Sequence, residues 1–292
     1  MAGQPDLFEI RGLKCAYVHR AGAGRSVVLA IDRLSIPAET ITVVLGRSGS
    51  GKSTLIETLG LMNDTFEAGS VIFRPGGREI VTDHGLWKMP AALRHIRARY
   101  FSFIFQNDFL LPHYTPMENL LLGRWDAKAP GQPDTGRGKA ARFCSRVGID
   151  LAALDDRPTG ELSAGQRQRL AFVRALMKDH VVLFGDEPTG NLDEDSSRQV
   201  ASLLSETVGP GTGRTAVIVS HNIPLTLEMA GRIVVLTSRG DISEVADWNV
   251  FTREGSAWRN EPGKTFSREE LAARLRELAG TLPAGPQQSP GS

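Results

Sequence analysis

The 292-residue sequence lacks the features that mark disulfide-rich, membrane-spanning or nucleic-acid-binding chains. Its two cysteines, Cys15 and Cys144, lie far apart and show neither a disulfide framework nor metal-ligand spacing. No run approaches the roughly 18 apolar residues that cross a bilayer, and the N-terminus lacks the charged start and apolar stretch of a signal peptide. A formal net charge of +1 gives no electrostatic reason to expect nucleic acid as a partner. We therefore predict buried structural thiols, a reducing compartment, and contact with a membrane only through a partner.

A glycine-rich run follows the apolar stretch 41–45 and precedes an apolar helical pattern. It has the G-x-x-x-x-G-K-[ST] spacing of a phosphate-binding loop, in the strand-before, helix-after context that the loop requires. Glycines let the backbone N–H groups point inward around a phosphate, and the helix adds the positive end of its dipole. Lys52 is expected to reach the β- and γ-phosphates, and Ser53 to hold Mg²⁺. The residues predicted to bind a nucleoside triphosphate are Gly46, Arg47, Ser48, Gly49, Ser50, Gly51, Lys52, Ser53 and Thr54.

Apolar periodicity predicts an α/β fold around this loop. Period-two stretches at 8–18 and 26–36 predict strands joined by a turn at 22–24, and a further strand is predicted at 70–73. Continuous apolar runs at 181–184, 216–219 and 233–236 are typical of strands buried on both faces of a parallel sheet. Other elements are predicted at 54–61 (helix), 100–105 (strand), 106–162 (mainly helix) and 129–133 (linker).

The C-terminal part has its own signals. Ser267 and Glu270 form a capping box ahead of Leu271, Leu275 and Leu278, which predicts a short amphipathic helix. Pro- and Gln-rich residues after Gly280 predict a disordered tail.

Two acidic residues end the buried run 181–187. A carboxylate at such a strand tip can orient the Mg²⁺ shell, which is the role assigned to Asp186. Glu187, one residue further on, is placed to act as general base on the water that attacks the γ-phosphate. An Asp-Glu pair after a strand is usually a solvated loop, but here the phosphate loop requires such an acid.

The segment 162–166, Leu-Ser-Ala-Gly-Gln, resembles the signature motif of ATP-binding-cassette (ABC) ATPases, usually written LSGGQ. Other motifs of that family are matched by Tyr17 (the aromatic residue that stacks on adenine), Gln106 (Q-loop), Asp193 (D-loop) and His221 (switch histidine). The resemblance covers about residues 7–245. It implies a P-loop NTPase fold with a mostly parallel central sheet, an antiparallel β subdomain and a helical signature subdomain.

The resemblance also implies an organisation into domains and a set of roles. Residues 1–250 would form the ATP-binding domain, with the helical subdomain at about 107–170, and residues 251–292 a C-terminal extension. Glu187, His221 and Gln106 would be catalytic, and Gln106 would join Ser53 and Asp186 around Mg²⁺. The ATP of a second copy would be contacted by Ser163, Gly165, Gln166 and Asp193, so the ATP site would be complete only in a head-to-tail homodimer.

Each of these matches also has a purely structural explanation. Tyr17 could be an ordinary strand aromatic, Gln106 a helix-start amide and His221 a core histidine. Ser163 and Gly165 alone would indicate only the start of a helix.

Residues 105–119 are similar to the branch of the family that serves lipoprotein release, macrolide efflux and cell-division permeases. This similarity implies a separate integral membrane permease as partner, and a cytoplasmic location on the inner face of the membrane. Residues 106–125 would receive a coupling helix of the permease, although helix-core packing explains the apolar Phe109, Leu110 and Leu111 equally well. The sequence departs from the branch in the long region 73–100, in Glu39-Thr40 where Gly-Glu is usual, in Ala164 and in the C-terminal extension.

Two other functions share the same ATPase engine. A mechanical regulator would flex a membrane protein that controls cell-wall or division machinery, without moving cargo. A soluble machine of DNA repair or iron–sulfur assembly is disfavoured, because the stretch between Lys52 and Ser163 is short and has no sustained heptads.

Overall fold

The computed structural model describes residues 6–18, 24–122, 135–154 and 156–280. Its strands are β1 (Asp6–Val18), β2 (Arg25–Pro37), β3 (Ile41–Gly46), β4 (Phe66–Phe73), β5 (Ile80–Thr82), β6 (Phe101–Ile104), β7 (Val182–Asp186), β8 (Thr215–Val219), β9 (Arg232–Arg239), β10 (Ile242–Glu244), β11 (Val250–Glu254), β12 (Ala257–Asn260) and β13 (Thr265–Phe266). Its α-helices are α1 (Lys52–Leu59), α2 (His84–Trp87), α3 (Pro90–Tyr100), α4 (Pro116–Leu121), α5 (Thr135–Arg146), α6 (Ala164–Met177), α7 (Glu194–Thr207), α8 (Ile223–Met229) and α9 (Arg268–Ala279). The predicted linker at 129–133 and tail beyond 280 lie outside the described residues, as does most of the predicted turn at 22–24.

One 13-stranded sheet runs through the described residues. Its centre is parallel, with β9, β3, β8, β7 and β6 side by side in that order. An antiparallel part follows, in which β1 lies between β2 and β4, and β10 connects β2 to β9. The predicted fold class is therefore confirmed, including the parallel centre and the antiparallel β part. The helices α4, α5 and α6 pack against one another and form the helical part.

The central strands are buried on both faces, as their apolar runs predict. Val43 and Ile218 belong to one hydrophobic cluster, whereas the alternate residues Val44 and Val219 belong to a second cluster. Because β3, β7 and β8 are parallel, their C-terminal ends lie at the same edge of the sheet. This arrangement brings the glycine-rich loop, the two acidic residues and the segment containing His221 to one place.

Several element boundaries differ from the prediction, for local reasons. Helix α1 ends at Leu59, because Gly60 is its C-cap and Leu61 adopts a positive φ of 58°. Residues 106–115 do not form a helix; α4 starts only at Pro116, where Thr115 and Glu118 form a capping box. The region 78–99, which shows no clear pattern in the sequence, contains β5, α2 and most of α3.

The C-terminal extension contains more structure than the predicted helix. Helix α9 is confirmed, with its capping box, but the strands β11–β13 precede it. Strand β11 pairs with β9, and Phe251 and Trp258 are buried in the same cluster as Val43. These short strands carry too little periodicity to be recognised in a sequence. The division of the chain into domains at residue 250 stays a prediction.

Glu39 shows how the fold accommodates one departure from the family pattern. Its φ of 52° is unusual for a residue with a side chain. The carboxylate accepts hydrogen bonds from the backbone N–H groups of Gly211 at 2.8 Å and Gly213 at 2.9 Å, and the Glu39 N–H donates to Thr215 Oγ1 at 2.8 Å. These bonds offset the strain of the left-handed backbone.

His180 links the stability of the fold to pH. Burial, with a smaller contribution from Arg214, lowers the pKa of His180 to about 4. Its Nδ1 lies 2.7 Å from the carbonyl oxygen of Lys178, and within the described residues its Nε2 has no partner. Since histidine in the unfolded chain titrates near pH 6.5, the unfolded chain binds more protons below that pH, and we expect the free energy of unfolding to fall by up to about 3 kcal/mol between pH 6.5 and pH 4.

Urea unfolding at several pH values would measure this loss. His180→Asn should make the free energy of unfolding less dependent on pH, because asparagine does not titrate in this range. His95→Asn, at an exposed position, is the control and should show the pH dependence of the parent. Equal pH slopes in the parent and in His180→Asn would contradict the assignment.

Candidate nucleotide-binding and hydrolysis site

The glycine-rich loop makes a tight passage from β3 to α1. Gly46, Gly49 and Gly51 have φ values of 153°, 78° and 74°. At Gly46, a methyl group would lie 2.5 Å from Ser50 Oγ and 2.8 Å from the carbonyl oxygen of Leu236, so only glycine fits. Gly51 is the N-cap of α1 and contributes no side-chain cap, which leaves the first N–H groups of the helix available to an anion.

Lys52 lies across this loop. Its Nζ donates to the carbonyl oxygens of Gly46 at 2.9 Å and Arg47 at 2.8 Å. Burial lowers the pKa of Lys52, and the negative charges of Glu187 and Asp186 act in the opposite direction. The predicted phosphate-binding lysine and the two predicted acids therefore belong to one electrostatic site. The hydroxyl of Ser50 is also buried here, and it has no hydrogen-bond partner within the described residues, which suits a group that bonds a ligand.

Ser53 and Asp186 meet as the sequence predicts. The Ser53 hydroxyl donates to Asp186 Oδ2 at 2.9 Å, which joins the first turn of α1 to the end of β7. Hydroxyl and carboxylate oxygens are ligands that Mg²⁺ prefers, so the residues present fit this ion. Gln106, the third predicted ligand, is exposed and follows β6 by two residues, at the same edge of the parallel sheet.

Glu187 and His221 form a pair that connects two strand ends. Glu187 has a φ of 49°, and its N–H donates to the carbonyl oxygen of Val219 at 3.1 Å. His221 Nδ1 lies 3.2 Å from Glu187 Oε1. Both residues line an open cavity of about 380 Å³, together with Ser220 and Asn222. A carboxylate held on a strained backbone beside an imidazole, and accessible to water, can accept a proton from that water.

Tyr17 lies beside the start of α1. Its hydroxyl is 3.0 Å from Thr54 Oγ1, and 45% of the residue is exposed. An exposed ring next to a phosphate loop can stack on a base without reading its identity. The hydroxyl of Thr54 thus pairs with Tyr17, and Thr54 itself is buried.

The signature segment and the D-loop aspartate act as helix caps. Ser163 is the N-cap of α6: its Oγ accepts from the Gln166 N–H at 3.2 Å, and Gln166 Oε1 accepts from the Ser163 N–H at 2.9 Å. Asp193 caps α7 through the N–H and the hydroxyl of Ser196, and these bonds lower the pKa of its carboxyl.

The signature segment and the D-loop lie close together. A methyl group at Gly165 would lie 3.7 Å from Leu192 Cδ2. No hydrogen bond or ion pair among the described residues joins the segment 163–166 to the phosphate loop. The predicted roles of these residues as ligands of the ATP on a second copy stay predictions.

Gln168 belongs to this region but to none of the sequence motifs. It is buried on α6, and its Nε2 donates to the carbonyl oxygens of Pro188 at 3.1 Å and Glu187 at 3.4 Å. The signature helix is therefore bonded to the turn that carries Glu187, the predicted general base. A polar residue on the apolar face of α6, two positions after the signature, is the signal that could have found it.

Comparison with known proteins identifies the family. The family model described as ABC transporter matches residues 22–190. The chain belongs to the ABC transporter family. It is an ATP-binding cassette, and the reaction of such cassettes is ATP hydrolysis. The predicted recognition of the family is therefore confirmed.

Two relatives place this ABC ATPase near the predicted branch. It is 37% identical over 246 residues to the lipoprotein-releasing system ATP-binding protein LolD of Myxococcus xanthus, a match that covers 82% of this chain and 99% of the relative. It is 34% identical over 236 residues to the macrolide export ATP-binding/permease protein MacB of Pasteurella multocida, covering 81% of this chain. The chain spans about a third of the length of such ATP-binding/permease relatives, 34% in the case of MacB.

A solved structure shows the same fold. The dimeric structure of MJ0796, a bacterial ABC transporter cassette, superposes with a TM-score of 0.66 at 25% sequence identity, covering 78% of this chain and 93% of that chain. Within the residues described for this ABC ATPase, no helix is both long and apolar enough to cross a membrane. The roles assigned to individual site residues stay predictions.

Proposed function

We propose that this chain is the ATP-hydrolysing subunit of a transporter complex, in which two copies close on two ATP molecules and drive a separate membrane permease. The observation that supports the catalytic part most directly is the contact of 3.2 Å between His221 Nδ1 and Glu187 Oε1. It lies at the sheet edge where Ser53 also contacts Asp186.

The chemistry follows from these residues. Lys52 and the N–H groups of the phosphate loop bind the phosphates of ATP, and Tyr17 stacks on the adenine. Glu187 accepts a proton from a water whose oxygen attacks the γ-phosphorus; the bond between the γ-phosphorus and the bridging oxygen of ADP breaks, giving ADP and inorganic phosphate. His221 donates from Nδ1 to the Glu187 carboxylate and so orients it; donation from Nε2 to the γ-phosphate at the same time uses the imidazolium form. Mg²⁺, held by Ser53, Asp186 and Gln106, would neutralise charge on the phosphates.

The homodimer is supported by the position of the signature segment. The N-terminal end of its helix can bind an anion, yet among the described residues it makes no hydrogen bond to the phosphate loop. A second copy arranged head to tail would supply Ser163, Gly165, Gln166 and Asp193 to the ATP on the first. The similar cassette MJ0796 is described as dimeric.

The permease is expected to dock on the predicted segment 106–125, of which the structure describes 106–122. Phe109, Leu111 and Tyr114 are exposed there by 60%, 41% and 43%. The segment is held firmly: Arg174 donates to the carbonyl oxygens of Asp108 and Phe109, and the buried Asn119 bonds both the N–H and the carbonyl oxygen of Leu111. Exposed apolar side chains on a rigid loop fit an amphipathic helix of a partner. Docking would place this chain on the inner face of the membrane.

Co-purification from detergent-solubilised native membranes tests this docking. We expect the parent chain to recover an integral membrane protein, and Phe109→Ser with Leu111→Ser to reduce that recovery at least about tenfold, because apolar anchors carry most of the energy of such contacts. Trp248→Ser is the control, since Trp248 is 58% exposed and lies between β10 and β11. Thermal unfolding would verify that all variants are folded. Recovery of no integral membrane protein by the parent, or equal recovery by the double variant, would contradict the proposal.

A further inference from the structure

Helix α9 reaches from α8 to the phosphate loop. Its first residue, Arg268, lies 3.6 Å from Glu228 of α8, and its body contacts β9 and β3. Leu271 and Leu275 are fully buried in the cluster that contains Val43 and Leu45 of β3. The helix is thus seated on the core and ends beside the loop that follows β3. It lies outside residues 22–190, which the family model matches.

The C-cap of α9 packs against Arg47 of the phosphate loop. Gly280 has a φ of 66°, and its N–H donates to the carbonyl oxygen of Glu277. A methyl group at this position would lie 2.9 Å from Arg47 Nε, and 3.2 Å from both Cδ and Cγ. Glycine suits this position for two reasons: it adopts the left-handed backbone without strain, and a side chain here would displace the arginine stem.

The guanidinium of Arg47 is exposed, although the aliphatic part of the side chain packs against Gly280. Arg47 is exposed, and its guanidinium makes no hydrogen bond or ion pair within the described residues. Its backbone carbonyl, by contrast, accepts from Lys52 Nζ. The carbonyl end of α9 carries partial negative charge, which keeps a cation nearby without saturating its donors.

We propose that the C-terminal end of α9 is a positioning element for nucleotide binding, in which Gly280 packs along Arg47 and holds its guanidinium at the rim of the phosphate loop for the phosphates of ATP. A long exposed arginine loses rotamer freedom when it binds an anion, and a stem that is already packed loses less. The inference rests on the proposed role of the phosphate loop, and it gives the C-terminal helix a part in ATP affinity.

Equilibrium binding of a fluorescent ATP analogue to the full chain tests the proposal. Gly280→Ala should weaken binding about three- to tenfold, the range expected when one rotamer-rich side chain must be newly ordered. Arg47→Ala should weaken it at least as much, and adding Gly280→Ala to Arg47→Ala should have no further effect. In steady-state hydrolysis, Gly280→Ala should raise KM by a similar factor with kcat unchanged, a split that general destabilisation would not produce.

Gly255→Ala is the matched control. Gly255 has a φ of 64°, close to that of Gly280, but a methyl group there would meet no atom within 4 Å. Gly255→Ala should therefore introduce the same backbone strain as Gly280→Ala without affecting ATP binding. If Gly280→Ala unfolds, Gly280→Asn replaces it, because asparagine tolerates the left-handed region.

Two results would overturn the inference: equal ATP affinity of Gly280→Ala and Gly255→Ala, or a Gly280→Ala effect that persists after Arg47→Ala. The variant Lys52→Ala distinguishes a wrong role for α9 from a wrong assignment of the phosphate loop. If Lys52→Ala abolishes binding and the Gly280 variants do not matter, only the role of α9 is wrong.

Discussion

Replacement of Glu187 by glutamine is expected to slow ATP hydrolysis by about 100- to 10,000-fold while ATP binding persists. Glutamine keeps the shape and the contact distance to His221 but cannot accept a proton from the attacking water. Nucleotide should then stay bound, and the closed homodimer should accumulate. Phosphate release measures the rate, and size-exclusion chromatography with ATP measures the dimer.

The control for this variant is Glu194→Gln. Glu194 lines the same cavity but is largely exposed and pairs with Arg198. It should hydrolyse ATP at a rate near that of the parent. A Glu187→Gln chain that hydrolyses ATP as fast as the parent would exclude Glu187 as the general base.

Lys52→Ala is expected to weaken ATP binding by about 100-fold or more. The amino group supplies charge-assisted bonds to phosphate oxygens, each contributing about 1.5–3 kcal/mol, and about 1.4 kcal/mol corresponds to a tenfold change in affinity. The variant also loses the two bonds from Nζ to the loop carbonyls of Gly46 and Arg47, so the loop itself becomes less ordered. Equilibrium binding of a fluorescent ATP analogue measures the loss.

Lys178→Ala provides a matched control for that measurement. Lys178 is also partly buried, burial also lowers its pKa, and its Nζ also donates to two carbonyl oxygens, those of Arg97 and Phe101. It lies away from the phosphate loop, at the end of α6, so its removal should lower stability without weakening nucleotide binding. Tight ATP binding by Lys52→Ala would reject the phosphate-loop assignment.

Local patterns were sufficient to predict the central sheet and the phosphate loop. The glycine spacing between a buried strand and a helix restricts the loop to one conformation. The contact between Ser53 and Asp186 follows once β3, which precedes the loop, and β7, which ends at Asp186, run parallel in one sheet. The runs at 181–184, 216–219 and 233–236 are apolar at every position because both faces of the sheet are covered.

Contacts between distant parts of the chain could not be predicted in this way. The pairing of His221 with Glu187 depends on β7 and β8 being neighbours, and the bonds from Gln168 depend on where α6 packs. The contact of Gly280 with Arg47 depends on the seating of α9 over β3 and β9. In each case the tertiary arrangement, rather than a local pattern, brings the residues together.

The capping box at Ser163 has a consequence for assembly. The Ser163 hydroxyl accepts a hydrogen bond from the Gln166 N–H. It can still donate a hydrogen bond of its own, since a hydroxyl carries one donor besides its lone pairs. A triphosphate bound to a second copy can accept this hydrogen bond while the capping box stays intact. In the proposed homodimer, this end of α6 would therefore contact the ATP of the other copy without local refolding.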